Sequence, residues 1–197
     1  MGVAGSRRAA GCVLAEVTVR PQVPMGAFQA LGYVCAMGAV EGLREAGIGF
    51  AAIGWPQDVV DARTFRPLCT LKMHAGYDKG MYASCTVVGA QQVGLLRELS
   101  DEQLSQALTA GITGRVALWE EQIVAGAGVA GPLAPVLSEY FDLVALLGHP
   151  AVAVYPNGNE IARGTFAGVD IWGRATLLTE DGRELELSPE QGGIRPA

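Results

Sequence analysis

The chain has 197 residues, 50% of them hydrophobic and 17% charged, enough to bury a sizeable core and to exclude an intrinsically disordered polymer. Its formal net charge is −6, with 14 basic residues of which only Lys72 and Lys79 are lysines. No basic stripe stands ready to meet a phosphate backbone, so direct nucleic-acid binding is excluded.

The first residues, "MGVAGSRRAAGC", carry three short patterns: a myristoylation-like start, an Arg7-Arg8 pair before an apolar run, and a lipid-box-like "AAGC". Glu16 cuts the run short, and none of the three is read as a targeting signal. No apolar stretch reaches the length that spans a bilayer, which excludes a helical membrane protein. "CVLAEVTVR", residues 12–20, alternates as a strand and ends at Pro21. Phe28, Leu31, Val34, Cys35, Met37, Val40 and Leu43 keep helical spacing and predict a helix over 25–46, stopped by Gly47 and Gly49. "FAAIGW" then reads as a short buried strand leading into "WPQD". Residues 68–74 and 81–89 read as a strand pair joined through "GYDKG", the second strand apolar on both faces.

Ser100 followed by Gln103 is a capping-box pattern, and Leu104, Leu108, Ile112, Val116, Trp119 and Ile123 give the helix after it one apolar face. "GAGVAG", Gly126 to Gly131, matches G-x-G-x-x-G, but a helix precedes it and Pro132 follows, so it reads as a linker between helices. A further helix is expected over 132–147. From His149 onward short alternating strands and two hairpin signals, Asn157-Gly158 and Asp181-Gly182, predict a small antiparallel barrel. The fold class is thus α+β: a mixed sheet with packed helices over 1–148, and a barrel over 149–197. Cys12, Cys35, Cys69 and Cys85 form no C-x-x-C pair, and His74 and His149 are the only imidazoles. This spacing excludes a zinc site and reads as reduced core thiols of a cytoplasmic protein.

The tail, "GHPAVAVYPNGNEIARGTFAGVDIWGRATLLTEDGRELELSPEQGGIRP", resembles the C-terminal small domain of biotin–protein ligases in the order of its parts: a Pro-led strand, "G-x-D", "LL-x-x-DG", and a final "GG-I-R". Upstream, "GAFQALGYVCAMGAVEGLREAG" resembles the family's long helix, "GWPQD" its "KWPND", and "TVVGA" the strand running into its "G-I-G-x-N". The resemblance implies the ligase-type α+β domain followed by an SH3-like barrel. It also implies the family's chemistry, in which ATP and magnesium activate biotin to biotinyl-adenylate for transfer to a lysine of a carrier protein. Adenylation brings anions together and needs cations and amides to hold them.

The resemblance places candidate catalytic groups at Arg66 and Asp58, and ligand contacts at Arg7, Arg8, Gly54, Trp55, Pro56, Gln57, Gly89, Ala90 and Gln91. It implies no metal ligand. The chain departs from the family at each cationic position. "GSRRAAG" stands for the Arg/Gly loop, Gly54 for the lysine of "KWPND", Gln57 for its asparagine, and Arg66 for the lysine that opens "K-L-A-G-I-L". A guanidinium does not replace an ammonium geometrically. Residues matching the first strand and helix of the family's catalytic domain are also missing, which is expected to bare a sheet edge. These departures predict a degenerate, non-catalytic ligase-like protein acting through a partner or small ligand, with a divergent but working biotin ligase as the alternative. Biotin, ATP and magnesium belong to it only under that alternative. The expected partners are a second copy or a complementing chain, with a biotin carrier protein as a further candidate.

Overall fold

A computed structural model of the protein describes residues 10–197. The candidate residues Arg7 and Arg8 lie outside the described residues.

Two five-stranded sheets follow one another along the chain. The first is built from β1 (Val13–Val19), β2 (Ala51–Gly54), β3 (Asp58–Asp61), β4 (Pro67–Tyr77) and β5 (Met81–Gly89), in the order β1-β5-β4-β3-β2. Its ladders are antiparallel, and the mixed character shrinks to one isolated parallel bridge between Ile53 and Val144. β5 alternates half-buried and buried positions, so one of its faces is open to solvent where the composition predicts two covered faces. Proline is tolerated in β4 because Pro67 is its first residue, where the β3–β4 register also breaks. β1 is an edge whose centre, Glu16, is exposed. A symmetric antiparallel pairing of two such edges about Glu16 would set like charges face to face, which blunts that edge.

The predicted first helix divides into a 3-10 segment (Met25–Ala30) and α1 (Leu31–Glu45). α1 is buried almost all round, between the sheet and α2 (Asp101–Val124). That position demands small side chains where the helices cross. A Cβ on Gly42 would land on the Ala107 carbonyl oxygen, and one on Gly38 on that of Gly111. The two helices therefore meet backbone to backbone. α2 starts on the predicted capping box: Ser100 Oγ accepts the Gln103 amide at 3.1 Å, and Gln103 Oε1 accepts the Ser100 amide at 2.9 Å. Arg115, 7% exposed, reaches from α2 to Glu139 at 2.6 Å and Glu41 at 3.5 Å, tying three helices together.

The helix expected over 132–147 is much shorter: α3 covers Leu137–Leu143 only. Pro132 and Pro135 lack the amides a longer first turn would use, and at its end Val144 turns extended so that the Ala145 amide can donate to the Ile53 carbonyl at 2.9 Å. The second sheet has β6 (Pro150–Val154), β7 (Glu160–Val169), β8 (Ala175–Thr179), β9 (Glu184–Leu187) and β10 (Gly193–Pro196), ordered β10-β6-β7-β8-β9 and antiparallel throughout, the barrel-like arrangement that the hairpin signals predict. No helix of the described residues is long and apolar enough to cross a membrane. The four cysteines are unbridged, and Cys35, Cys69 and Cys85 are buried.

Candidate functional site

A cleft of about 650 Å³ opens where the two sheets meet. One wall comes from the β2–β3 turn and the loop after β3: Gly54, Trp55, Pro56, Asp58, Phe65 and Arg66. The facing wall is the end of β6 with Tyr155 and Pro156, and the strand β10 with Ile194 and Arg195. Five of the residues singled out in the sequence, Gly54, Trp55, Pro56, Asp58 and Arg66, thus share one cavity.

The others do not. Gln57 turns away from the cleft: its Nε2 donates to the Leu71 carbonyl at 3.1 Å, and its Oε1 fills the space where a Cβ on Gly32 would stand. β3 ends before it reaches Leu71, so the carboxamide supplies a hydrogen bond the ladder leaves unmade. Gly89, Ala90 and Gln91 close the far end of β5 and do not line the cleft. Two of their amides are already committed, that of Gly89 to the Cys12 carbonyl at 2.8 Å and that of Ala90 to the Leu68 carbonyl at 2.9 Å. A Cβ on Gly89 would sit 2.8 Å from Val93 Cγ2, so its side-chain space is taken as well. An anion finds neither of these two amides free.

The Trp-Pro turn is held on three sides. Trp55 Nε1 donates to the Gly173 carbonyl at 3.0 Å, and Tyr33 Oη donates to the same oxygen at 2.8 Å. Tyr140 Oη donates to the Pro56 carbonyl at 2.9 Å, and its ring stands edge-on to that of Tyr33, 5.6 Å away. Burial pushes both phenols above their ordinary range, so they stay protonated and donating. The retained Trp55 and Pro56 are explained by this scaffold alone.

The loop from Asp61 to Arg66 is shaped by Asp61, 1% exposed. Its Oδ1 accepts the Arg63 amide and Nε, each at 2.9 Å, and its Oδ2 accepts the Arg63 terminal nitrogen at 2.6 Å. Its backbone amide meets the Arg66 carbonyl at 3.0 Å, and its carbonyl accepts the Phe65 amide at 2.7 Å. Phe65 is held at φ 57°, a left-handed conformation rare for an aromatic residue, and this points its ring into the cleft.

Three charged side chains face the cavity: Asp58, Arg66 and Arg195. Burial pushes the Asp58 carboxyl up, against the opposing hydrogen bond from Thr70. Neither arginine has an ion-pair partner among the described residues. Both exposed lysines, Lys72 and Lys79, stand away from this cavity on the β4–β5 hairpin. The cleft is therefore cationic inside an acidic protein, and suits a small anion with an apolar body lying against Trp55, Pro56 and Phe65. It suits magnesium poorly, since a divalent ion wants several ionised carboxylates and only Asp58, itself biased toward neutrality, is offered. Among the described residues no group of three His, Cys, Asp or Glu side chains is placed to hold a metal. Arg195 was not among the sequence candidates, although it ends the "GG-I-R" that carried part of the resemblance.

Asp58 also sets a pH dependence. Its folded pKa is raised, so the ionised form is the strained one, and proton uptake as pH falls through that raised value makes the cleft more positive. Asp58→Asn is expected to raise stability near neutral pH and to flatten this change. Unfolding midpoints measured from pH 4 to 8 check it, and a variant less stable than the parent at pH 7 would contradict it.

No protein-family model matches the chain, and no curated protein sequence does. Among solved structures, the biotin protein ligase of Aquifex aeolicus is similar over 92% of this chain and 81% of its own, with a TM-score of 0.67 and 14% identity. The same ligase in complex with biotin and ATP is similar over 92% of this chain and 77% of its own, again at 0.67 and 14%. A biotin protein ligase-like protein of unknown function from Silicibacter sp. is similar over 86% and 75%, with a TM-score of 0.59 and 17% identity. The chain has the biotin protein ligase-like fold, in divergent form.

Proposed function

We propose that this protein is a non-catalytic member of the ligase-like fold that binds a small anionic ligand, a carboxylic acid of biotin's kind or a nucleotide, in the cleft between its two sheets. The observation that carries the reading is a pair of guanidiniums without an ion-pair partner among the described residues, Arg66 on one wall and Arg195 on the other, facing a cavity whose one other charged side chain is Asp58. Planar guanidiniums suit bidentate contact with a carboxylate or phosphate. Adenylation asks for more: an ammonium at the reacting phosphate, a metal, and free amides. The cavity lacks the first, fits the second poorly, and has the Gly89 and Ala90 amides spent elsewhere. The alternative of a working biotin ligase draws on Asp58 and Arg66 both reaching the cavity.

Calorimetric titration with biotin, and separately with ATP, each with and without magnesium, separates the two readings. Binding of either anion that Arg66→Ala and Arg195→Ala each weaken about tenfold, with no pyrophosphate released, is the expected result. Biotin binding strengthened by MgATP and accompanied by pyrophosphate release would establish the enzyme instead. No heat with either ligand would remove both readings.

A further inference from the structure

The two walls of the cleft are carried by different sheets, and few hydrogen bonds fix one against the other. The chain crosses between them at Gly148, whose φ of 77° is a conformation few other residues tolerate, and whose amide donates to the Phe166 carbonyl at 2.8 Å. Away from that crossing, among the described residues, the second sheet is hydrogen-bonded back to the first half through one turn, Asp170 to Arg174, between β7 and β8. The Ile171 carbonyl accepts the Leu133 amide at 3.2 Å. The Gly173 carbonyl accepts both Tyr33 Oη and Trp55 Nε1.

The turn is rigid where it presents that oxygen. Asp170 Oδ1 accepts the amides of Trp172 and Arg174, each at 2.9 Å, and the Arg174 Nε closes onto Asp170 Oδ2 at 2.7 Å. The Gly173 amide donates to the Asp170 carbonyl at 3.0 Å, and Gly173 itself lies at φ 92°. A Cβ there would collide with the Tyr33 hydroxyl, so the phenol sits directly against the turn. One donor of the pair, Trp55, is itself a wall residue of the cleft.

We propose that the Gly173 carbonyl is the clasp of a hinged cleft. The second sheet swings about the Gly148 crossing, and the two donors meeting on this one oxygen set the closed separation of Arg66 and Arg195. A ligand bridging the arginines favours the same closed state, so ligand and clasp reinforce each other. The purpose of the clasp rests on the cleft being the binding site; its existence does not.

The indole protons of the protein test this without any ligand. Trp55 Nε1 is bonded across the hinge, whereas Trp119 Nε1 donates to the Pro132 carbonyl at 2.9 Å within the first half. Both indoles are buried. Tyr33→Phe keeps the ring that packs on Tyr140 and removes only the hydroxyl. In this variant the Trp55 indole proton, followed by NMR hydrogen exchange, is expected to exchange about fivefold faster, the population shift of one lost hydrogen bond. The Trp119 proton should keep its parental rate. Asp170→Asn slackens the turn from the other side and is expected to give the same split. If Trp55 exchange is unchanged in both variants, no clasp exists. If Trp55 and Trp119 speed up together, the opening is global unfolding and the hinge is overturned. Either result leaves the titration of Arg66→Ala and Arg195→Ala untouched, so failure of the clasp is distinguishable from failure of the ligand reading.

Discussion

Gly42→Leu is expected to destabilise the protein by about 3 kcal/mol or more, the upper range for overpacking a close-packed interior. The magnitude follows from where α1 lies. It has the sheet on one side and α2 on the other, with Gly42 and Gly38 set against the Ala107 and Gly111 backbone. Helices with ordinary side chains at the crossing stand 8–10 Å apart. These two approach so closely that the first added carbon meets a carbonyl oxygen, which no rotamer relieves. A leucine therefore moves a helix, and α1 has no free side to move toward. Urea unfolding of parent and variant with equal slopes measures the loss; a midpoint within error of the parent's would refute the backbone contact. Gly114→Ala is the matched control. Gly114 lies on the exposed face of the partner helix α2, with open space where its Cβ would be, and alanine there is expected to stabilise by up to about 1 kcal/mol. Opposite signs from two glycines of one helix pair separate packing from propensity.

The sequence pattern was most legible where a local device dictates structure. The Ser100–Gln103 box, the apolar face of α2 and the two hairpin turns of the second sheet appear as read. It was least legible where tertiary contacts override local preference. Residues 132–136 carry helix-compatible side chains, yet two prolines and the bond from Ala145 to Ile53 confine α3 to Leu137–Leu143. The candidate site divides along the same line. Gly54, Trp55, Pro56, Asp58 and Arg66 are close in sequence and converge by way of one turn and one loop. Gln57 stands between two of them at the end of the turn and faces the other way, drawn by its hydrogen bond to the Leu71 carbonyl. Gly89 to Gln91 resemble a pattern suited to an anion, but the Gly89 and Ala90 amides are consumed by Cys12 and Leu68, partners that no spacing discloses. Arg195 comes to the cavity only through the pairing of β10 with β6, a contact between the end of the chain and a strand some forty residues earlier.

Asp61→Asn is the second large effect, about 2 kcal/mol of stability at neutral pH, the range for hydrogen bonds with a charged partner in a buried setting. The loss is not that of a surface ion pair, since Arg63 is 61% exposed and solvent screens most of its attraction. It comes from the buried carboxylate, which accepts the Arg63 amide, its Nε and one terminal nitrogen of the guanidinium. An asparagine keeps one acceptor and turns a donor toward the other Arg63 nitrogen. The hydrogen bonds from Arg63 hold the Asp61 carboxyl below the usual carboxylate range, against the pull of burial. A lowered folded pKa means that the ionised group stabilises the fold at every pH above its unfolded value, about 4. That contribution fades as pH falls from there through the lowered folded value, and it is gone below both. Parent stability should therefore drop in acid more steeply than that of Asp61→Asn, and the two curves should converge at the acid limit, below both pKa values. Unfolding free energies measured from pH 7 down to that limit decide it, and parallel curves would show that Asp61 is not the group responsible. The same substitution reaches the cleft. Asp61 holds the Arg66 carbonyl and the left-handed Phe65 through its own backbone, so a slackened loop leaves Arg66 without a fixed place beside the cavity.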